Sequence, residues 1–142
     1  MTDIDVISGD VLDLALRIHR DLGPGLLESV YETVLAGKLS AMGYKVDRQK
    51  PVDIEFEAMR FPNAFRIDLL VDERLIVEVK SVERLMAAHG KQLLTYLRLA
   101  RQPVGLLINF GGATLREGVR RIVNDHRPSA SSRLRVNRKT GE

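Results

Sequence analysis

Residues 66–80, RIDLLVDERLIVEVK, contain the pattern that decides the fold. Two apolar runs, residues 65–71 and 75–80, are separated only by the polar residues Asp72, Glu73 and Arg74. So short a connection favours antiparallel strands, because parallel neighbours need a crossover of a dozen or more residues. The stretch therefore predicts a β-hairpin.

The second strand of this hairpin has two charged residues on one face. Glu78 and Lys80 are two positions apart, so they point to the same side of the strand. The apolar residues before and between them point to the other side: Leu75, Val77 and Val79. Charged groups next to a core are costly unless they pair with each other or bind a ligand. A Glu78–Lys80 salt bridge on a solvated face is the simplest alternative to a functional site.

The length of the hairpin loop sets the partner of Asp68. With a three-residue loop, Asp68 falls opposite Glu78, and their Cβ atoms would lie about 5 Å apart. Two carboxylates at that distance repel each other unless a cation lies between them, and Mg²⁺ or Mn²⁺ prefers such oxygen ligands. A two-residue loop would instead place Asp68 opposite Val77 and remove this argument.

Two helical patterns precede the hairpin. Apolar residues recur at helical spacing over residues 11–22, with Ser8 as the predicted N-cap, and again over residues 26–42. The Gly-Pro-Gly sequence at residues 23–25 separates the two helices. Two strands are predicted next, residues 44–48 and residues 52–58, the second because apolar and acidic residues alternate along it.

Helical and strand patterns alternate after the hairpin. Residues 83–100 predict a helix, residues 103–110 (PVGLLINF) a strand buried on both faces, and residues 115–125 a final helix. The predicted order α-α-β-β-β-β-α-β-α describes one α/β domain over residues 1–125. Residues 126–142 are rich in Ser and Arg and predict a disordered tail.

Composition excludes several kinds of site. The 142 residues include no cysteine, which excludes disulfides, thiolate catalysis and Cys-ligated metal centres, and the three histidines are too scattered for a local zinc motif. No apolar run approaches the roughly 18 residues that a membrane span needs, and no secretory signal is recognisable. We therefore expect a cytoplasmic protein without membrane association.

The positive charge of the chain is concentrated near its C-terminus. The net charge is +3, but residues 126–142 contain five Arg or Lys residues and one Glu, which gives +4 and leaves −1 for residues 1–125. A basic composition confined to a tail does not by itself indicate nucleic-acid binding by the folded part.

Two predicted helices have polar residues on a single face. On the earlier helix, Glu28 and Tyr31 are three residues apart. On the later helix, Gln92 and Tyr96 are four residues apart, and His89 lies one turn before them. Taken alone, such residues are most often solvated or lie at the boundary of a core.

Taken together, these stretches resemble the GxxExxY family of small bacterial and archaeal proteins. The resemblance rests on residues 18–31, 66–71, 76–80, 89–97 and 105–110, in consistent order over residues 8–124. That family is placed in the PD-(D/E)XK nuclease superfamily, so the resemblance implies the restriction-endonuclease-like fold. This α/β fold has three layers, with a central mixed four-stranded sheet flanked by helices. The predicted order contains that core with one extra N-terminal helix and one extra strand.

The resemblance also implies a catalytic centre on the hairpin. Asp68 and the Glu78-x-Lys80 pair fall on the superfamily's catalytic positions, although Ile67 stands where the nominal motif has proline. Asp68, Glu78 and the carbonyl of Val79 would then bind Mg²⁺ or Mn²⁺. Lys80 would orient the attacking water or stabilise the developing negative charge.

Further site residues are implied on the helices. Gln92 and Tyr96 match the QxxxY motif of some exonuclease-like branches, in which Gln92 would act in catalysis and Tyr96 would contact the substrate backbone. Glu28 matches the acidic residue of the first core helix and would join the metal site through a second ion or a water. The remaining expected substrate contacts are His89, Tyr31 and Arg66.

The expected function is that of a metal-dependent nuclease, a hydrolase that cleaves phosphodiester bonds in DNA. The alternative is a catalytically silent nuclease-fold protein that binds nucleic acid or a protein partner. A metal enzyme acting on another substrate has no specific support in the sequence. A homodimer would provide the two sites that are needed to cut both strands of a duplex.

Overall fold

The computed structural model describes residues 2–124. Within these residues lie three α-helices, five strands and one short 3-10 helix. The elements are α1 (Ile4–Leu22), α2 (Glu28–Ala41), β1 (Val46–Phe56), β2 (Met59–Val71), β3 (Leu75–Lys80), α3 (Ala87–Ala100), β4 (Val104–Asn109), the 3-10 helix (Arg116–Gly118) and β5 (Val119–Val123). The predicted tail, residues 126–142, lies outside the described residues.

The five strands form one mixed sheet in the order β1-β2-β3-β4-β5. Strands β1, β2 and β3 are antiparallel neighbours, β3 and β4 are parallel, and β4 and β5 are antiparallel. Helix α3 makes the crossover that a parallel β3–β4 pair requires. The predicted α/β class is confirmed.

Helices cover both faces of the sheet. Helices α1 and α2 pack on the face that includes Leu69, Val77 and Leu106, all completely buried. Helix α3 covers the opposite face through Leu93 and Leu97. The helix–sheet–helix arrangement agrees with the predicted three layers. None of the helices between residues 2 and 124 is long and apolar enough to cross a lipid bilayer.

The β2–β3 hairpin has the predicted three-residue loop. Val71 pairs with Leu75, and the pairing continues in the same register to Leu69 and Val77. This register places the next residue of β2, Asp68, opposite Glu78, so the two-residue alternative is wrong.

A single strand replaces the two strands predicted between residues 44 and 58. Strand β1 continues through Pro51, which an edge strand tolerates more readily than a central one. Its pairing with β2 shifts between Val52 and Ile54, and Gln49 has a positive φ of 49°. Gln49 lies between the two predicted strands, so the irregular backbone there separates the two sequence patterns without ending the strand.

The predicted final helix over residues 115–125 is wrong. The chain forms one 3-10 turn and then β5, which pairs with β4 along the edge of the sheet. The spacing of Leu115, Val119 and Ile122 suits a helix, but the β-branched residues also suit a strand. The fifth strand of the sheet is therefore β5, and the extra strand predicted at residues 44–48 merges into β1.

The helices begin at other residues than predicted. Helix α1 begins at Ile4 with Asp3 as its N-cap, so Ser8 is a buried interior residue and not the cap. Helix α2 begins at Glu28, two residues later than expected, and α3 begins at Ala87 instead of residue 83.

A buried amide connects the segment after β3 to the end of β4. The side chain of Asn109 is 2% exposed and accepts hydrogen bonds from the N–H groups of Val82 (2.9 Å) and Gly111 (3.0 Å). Its Nδ2 donates to the carbonyl of Val82 at 2.8 Å. A Cβ atom at Gly111 would lie 2.3 Å from that carbonyl oxygen, so only glycine fits there. The segment that follows Lys80 is thereby fixed.

Replacing Asn109 with alanine is expected to lower the free energy of unfolding by about 3 kcal/mol, because three buried hydrogen bonds are lost. Urea denaturation measures the change. The control is Thr95→Ala on the exposed face of α3, for which a change below about 0.5 kcal/mol is expected. A loss at Asn109 as small as that of the control would contradict this role.

Candidate active site

Asp68 and Glu78 are held together by reciprocal hydrogen bonds between β2 and β3. The N–H of Asp68 donates to Glu78 Oε2 at 3.0 Å, and the N–H of Val79 donates to Asp68 Oδ2 at 2.9 Å. Each carboxylate therefore binds the backbone of the opposite strand. The hairpin fixes the position of both acidic groups at the point where strand pairing ends.

The environment of Glu78 disfavours its negative charge. Its side chain is buried, with 4% exposed. Burial is the main cause that raises the pKa of Glu78 from 4.5 to about 8, and the charges of Asp68 and, more weakly, Glu32 add to this effect. The N–H of Asp68 and the charge of Lys80 oppose the rise only in part. At neutral pH this carboxyl group therefore favours binding a proton or a cation.

A third carboxylate, that of Glu32 on α2, is linked to Asp68 through a shared amide. Nε2 of Gln49 donates to Glu32 Oε1 at 2.8 Å and to Asp68 Oδ1 at 3.2 Å. Arg48 forms an ion pair with Glu32 at 3.2 Å, and Glu32 is 5% exposed. Helix α2 and strand β1 thus contribute polar groups to the site that the hairpin forms.

Sequence reasoning missed Glu32, Arg48 and Gln49. Glu32 lies one helical turn after Glu28, so helical spacing alone allowed either acid to face the sheet. The structure places Glu28 at the exposed first residue of α2, and Glu28 is not among the charges that shift the pKa of Glu78. Arg48 and Gln49 lie where two strands were expected to meet, so no pattern marked them.

Two predicted residues lie near the acidic pair. Lys80, half-buried at the end of β3, lowers the pKa of Glu78. Tyr96 on α3 stacks on Phe65 with ring centroids 4.1 Å apart. The pKa of Tyr96 is raised by burial and then by the charges of Glu78 and Asp68. Strand β3 and helix α3 therefore bring these groups to one region, as the site prediction requires.

Three predicted residues lie at the surface around this region. Gln92 is exposed one turn before Tyr96, and Arg66 is exposed on β2. His89 is half-buried, and its Nδ1 accepts the N–H of Met86 at 2.9 Å, which caps the start of α3. Their contacts with a substrate stay predictions.

Tyr31 has a structural role instead of the predicted contact with substrate. Its side chain is completely buried and stacks on Phe110 with ring centroids 4.4 Å apart. The hydroxyl donates to the carbonyl of Gly23 at 2.6 Å and accepts the N–H of Leu26 at 3.1 Å. Both interactions hold the connection between α1 and α2, and the buried ring is not accessible to a substrate.

The acidic pair suits a divalent ion that takes few protein ligands. Among residues 2–124, no three His, Cys, Asp or Glu side chains come together as a metal centre. Mg²⁺ commonly binds through one or two carboxylates and completes its coordination with water. The raised pKa of Glu78 favours this fit, because a cation would supply the positive charge that the buried carboxylate lacks.

Comparison with known protein families finds a match over most of the chain. The model of the PD-(D/E)XK nuclease superfamily matches residues 5–122, which span the three helices and the sheet as far as β5. Neither the curated proteins nor the solved structures include a match to this chain. The chain belongs to the PD-(D/E)XK nuclease superfamily.

Proposed function

We propose that the protein is a metal-dependent nuclease that hydrolyses phosphodiester bonds in DNA, and that it is a member of the GxxExxY branch. The observation that carries this proposal is the hydrogen-bonded Asp68–Glu78 pair, in which Glu78 is buried, with Lys80 two residues further along β3. Membership of a nuclease superfamily supports a joint role of these three residues in phosphodiester hydrolysis.

Asp68, Glu78 and the carbonyl of Val79 would bind Mg²⁺ or Mn²⁺. Such an ion would polarise a phosphate oxygen and lower the pKa of a bound water. Lys80 would donate a hydrogen bond to the attacking water or to the negative charge that develops on the phosphate. Helix α3 packs through Leu93 and Leu97 on the neighbouring core.

The surface residues around the pair would contact the nucleic acid. Gln92 would position water or phosphate, and Tyr96 would contact the backbone of the substrate. Since Nδ1 of His89 accepts a hydrogen bond, its Nε2 carries the proton in the neutral ring and can donate to a phosphate. Arg66 supplies an exposed positive charge on β2. Glu28 would join the metal site only through a water or a second ion.

A homodimer would suit the cleavage of duplex DNA. A single site of this kind cuts one strand at a time, so cleavage of both strands of a duplex would require two copies. Because residues 1–125 have a net charge of −1, the approach of a polyanion would depend on the bound metal ion and on local basic residues.

Glu78→Ala and Lys80→Ala are each expected to lower kcat on DNA by at least about 100-fold, because the first removes a proposed metal ligand and the second removes a positive charge that would stabilise the transition state. The substrates are linear, circular, single-stranded and branched DNA, with RNA as a comparison, in Mg²⁺ or Mn²⁺. Glu55→Ala, an exposed acid on β1, is the control and should keep the wild-type rate. Wild-type protein that binds DNA without cleaving any substrate would favour the silent binding protein.

The stability of the protein is expected to fall as pH rises from about 4.5 to about 8 in EDTA. Over this range Glu78 holds a proton in the folded state and loses it on unfolding, so the folded state binds more protons. The free energy of unfolding should therefore decrease by up to about 1.4 kcal/mol per pH unit and level off above pH 8.

Urea denaturation across this range measures the slope. Glu78→Gln should flatten it, since the amide does not titrate, and Mg²⁺ should stabilise wild type at pH 8 by binding the folded state. If the free energy of unfolding has the same pH slope in wild type and Glu78→Gln, and Mg²⁺ has no effect, Glu78 is neither the titrating group nor a metal ligand.

A further inference from the structure

Gln49 bridges two carboxylates, that of Asp68 in the proposed metal site and that of Glu32 on α2. The pairs Arg48–Leu69 and Lys50–Ile67 place Gln49 beside Asp68 on the neighbouring strand. Its Nε2 is 2.8 Å from Glu32 Oε1 and 3.2 Å from Asp68 Oδ1. We infer that Gln49 is a positioning residue that orients Asp68 for metal binding, and that Glu32 acts through Gln49 and not as a metal ligand. This inference rests on the proposed function.

The chemistry of the amide accounts for the bridge. A carboxylate can only accept hydrogen bonds, so the NH₂ group of Gln49 must face both acids and can give one hydrogen to each. The other oxygen of Asp68, Oδ2, is held by the N–H of Val79 at 2.9 Å. Each oxygen of Asp68 thus has one protein donor, which fixes the plane of the carboxylate and leaves further lone pairs for a cation.

Glu32 is already satisfied by protein groups. Arg48 donates to Glu32 Oε2 from Nε at 3.3 Å and from Nη2 at 3.2 Å, while Gln49 occupies Oε1. Nη2 of Arg48 also donates to Thr33 Oγ1 at 2.8 Å, which anchors the guanidinium on α2. A buried charge with such partners is compensated without a metal ion. An ion bound directly by Glu32 would have to displace one of these donors.

The backbone of Gln49 also indicates a specific role. Its φ of 49° lies in the left-handed region, which few residues other than glycine, Asn and Asp adopt. Such conformations persist where surrounding contacts require them, often at functional sites. Because Gln49 is exposed, its replacement removes the bridge without opening a cavity in the core.

The test measures Mn²⁺ binding to the full chain by isothermal titration calorimetry, a readout independent of cleavage. Gln49→Ala is expected to weaken binding by about 10–100-fold, as replacement of groups that orient metal ligands typically does. Glu57→Ala is the matched control, since Glu57 has a φ of 50° in the exposed turn between β1 and β2. Its affinity should match wild type, because the same backbone change is made away from the site.

A double-mutant cycle separates the two roles of Glu32. If Glu32 acts through Gln49, the variant with both Glu32→Gln and Gln49→Ala should bind Mn²⁺ no more weakly than the weaker single variant. Losses that multiply in the double variant would show that Glu32 binds the ion directly and would overturn the inference. Glu32→Gln could disturb folding, so Gln49→Asn provides a second, independent comparison.

Gln49→Asn keeps the amide and suits the positive φ, but it shortens the side chain by one methylene group. Its thermal stability should equal or exceed that of wild type, while its Mn²⁺ affinity should resemble that of Gln49→Ala. Wild-type affinity in Gln49→Asn would overturn the inference. If wild-type protein binds no Mn²⁺, the proposed metal site itself is overturned. If wild type and the Gln49 variants bind Mn²⁺ equally well, the metal site stands and only the role of Gln49 is overturned.

Discussion

The register of the β2–β3 hairpin is the constraint on which the rest of the site depends. Because the side chains of a strand alternate between its faces, a shift of one residue would move Asp68 to the opposite side from Glu78. The three-residue loop prevents that shift, and the parallel pairing of β3 with β4 fixes β3 within the sheet. The two acids therefore meet as a consequence of backbone pairing, before any metal or substrate is considered.

The site concentrates negative charge in a place from which water is largely excluded. Burying carboxylates there costs free energy. Part of this cost is offset by two backbone N–H groups, by the amide of Gln49 and by the nearby Lys80. The raised pKa of Glu78 shows that the compensation is incomplete. An incompletely compensated acid is unfavourable for stability alone, and groups with strongly shifted pKa values cluster at functional sites.

The parts of the fold that local pattern determines were predictable from the sequence. The hairpin and the α/β class follow from a few apolar runs and one short loop. The register of the hairpin does not, because the sequence allows a two-residue or a three-residue loop and the pairing of Val71 with Leu75 decides between them. The last strand was not predictable, because residues 119–123 suit a helix or a strand and only the open edge of β4 decides between them. The burial of Glu32 on α2 was not predictable for a similar reason, since it depends on Arg48 and Gln49 of another element.

In the proposed site, Asp68 and Glu78 together bind one divalent cation. A crystal structure of the protein grown with Mn²⁺, with the ion located by its anomalous scattering, would test this binding. We expect one Mn²⁺ in contact with carboxylate oxygens of Asp68 and Glu78, with Glu32 still bound to Arg48 and Gln49. An ion bound elsewhere, or an acidic pair without Mn²⁺ at saturating concentration, would contradict it.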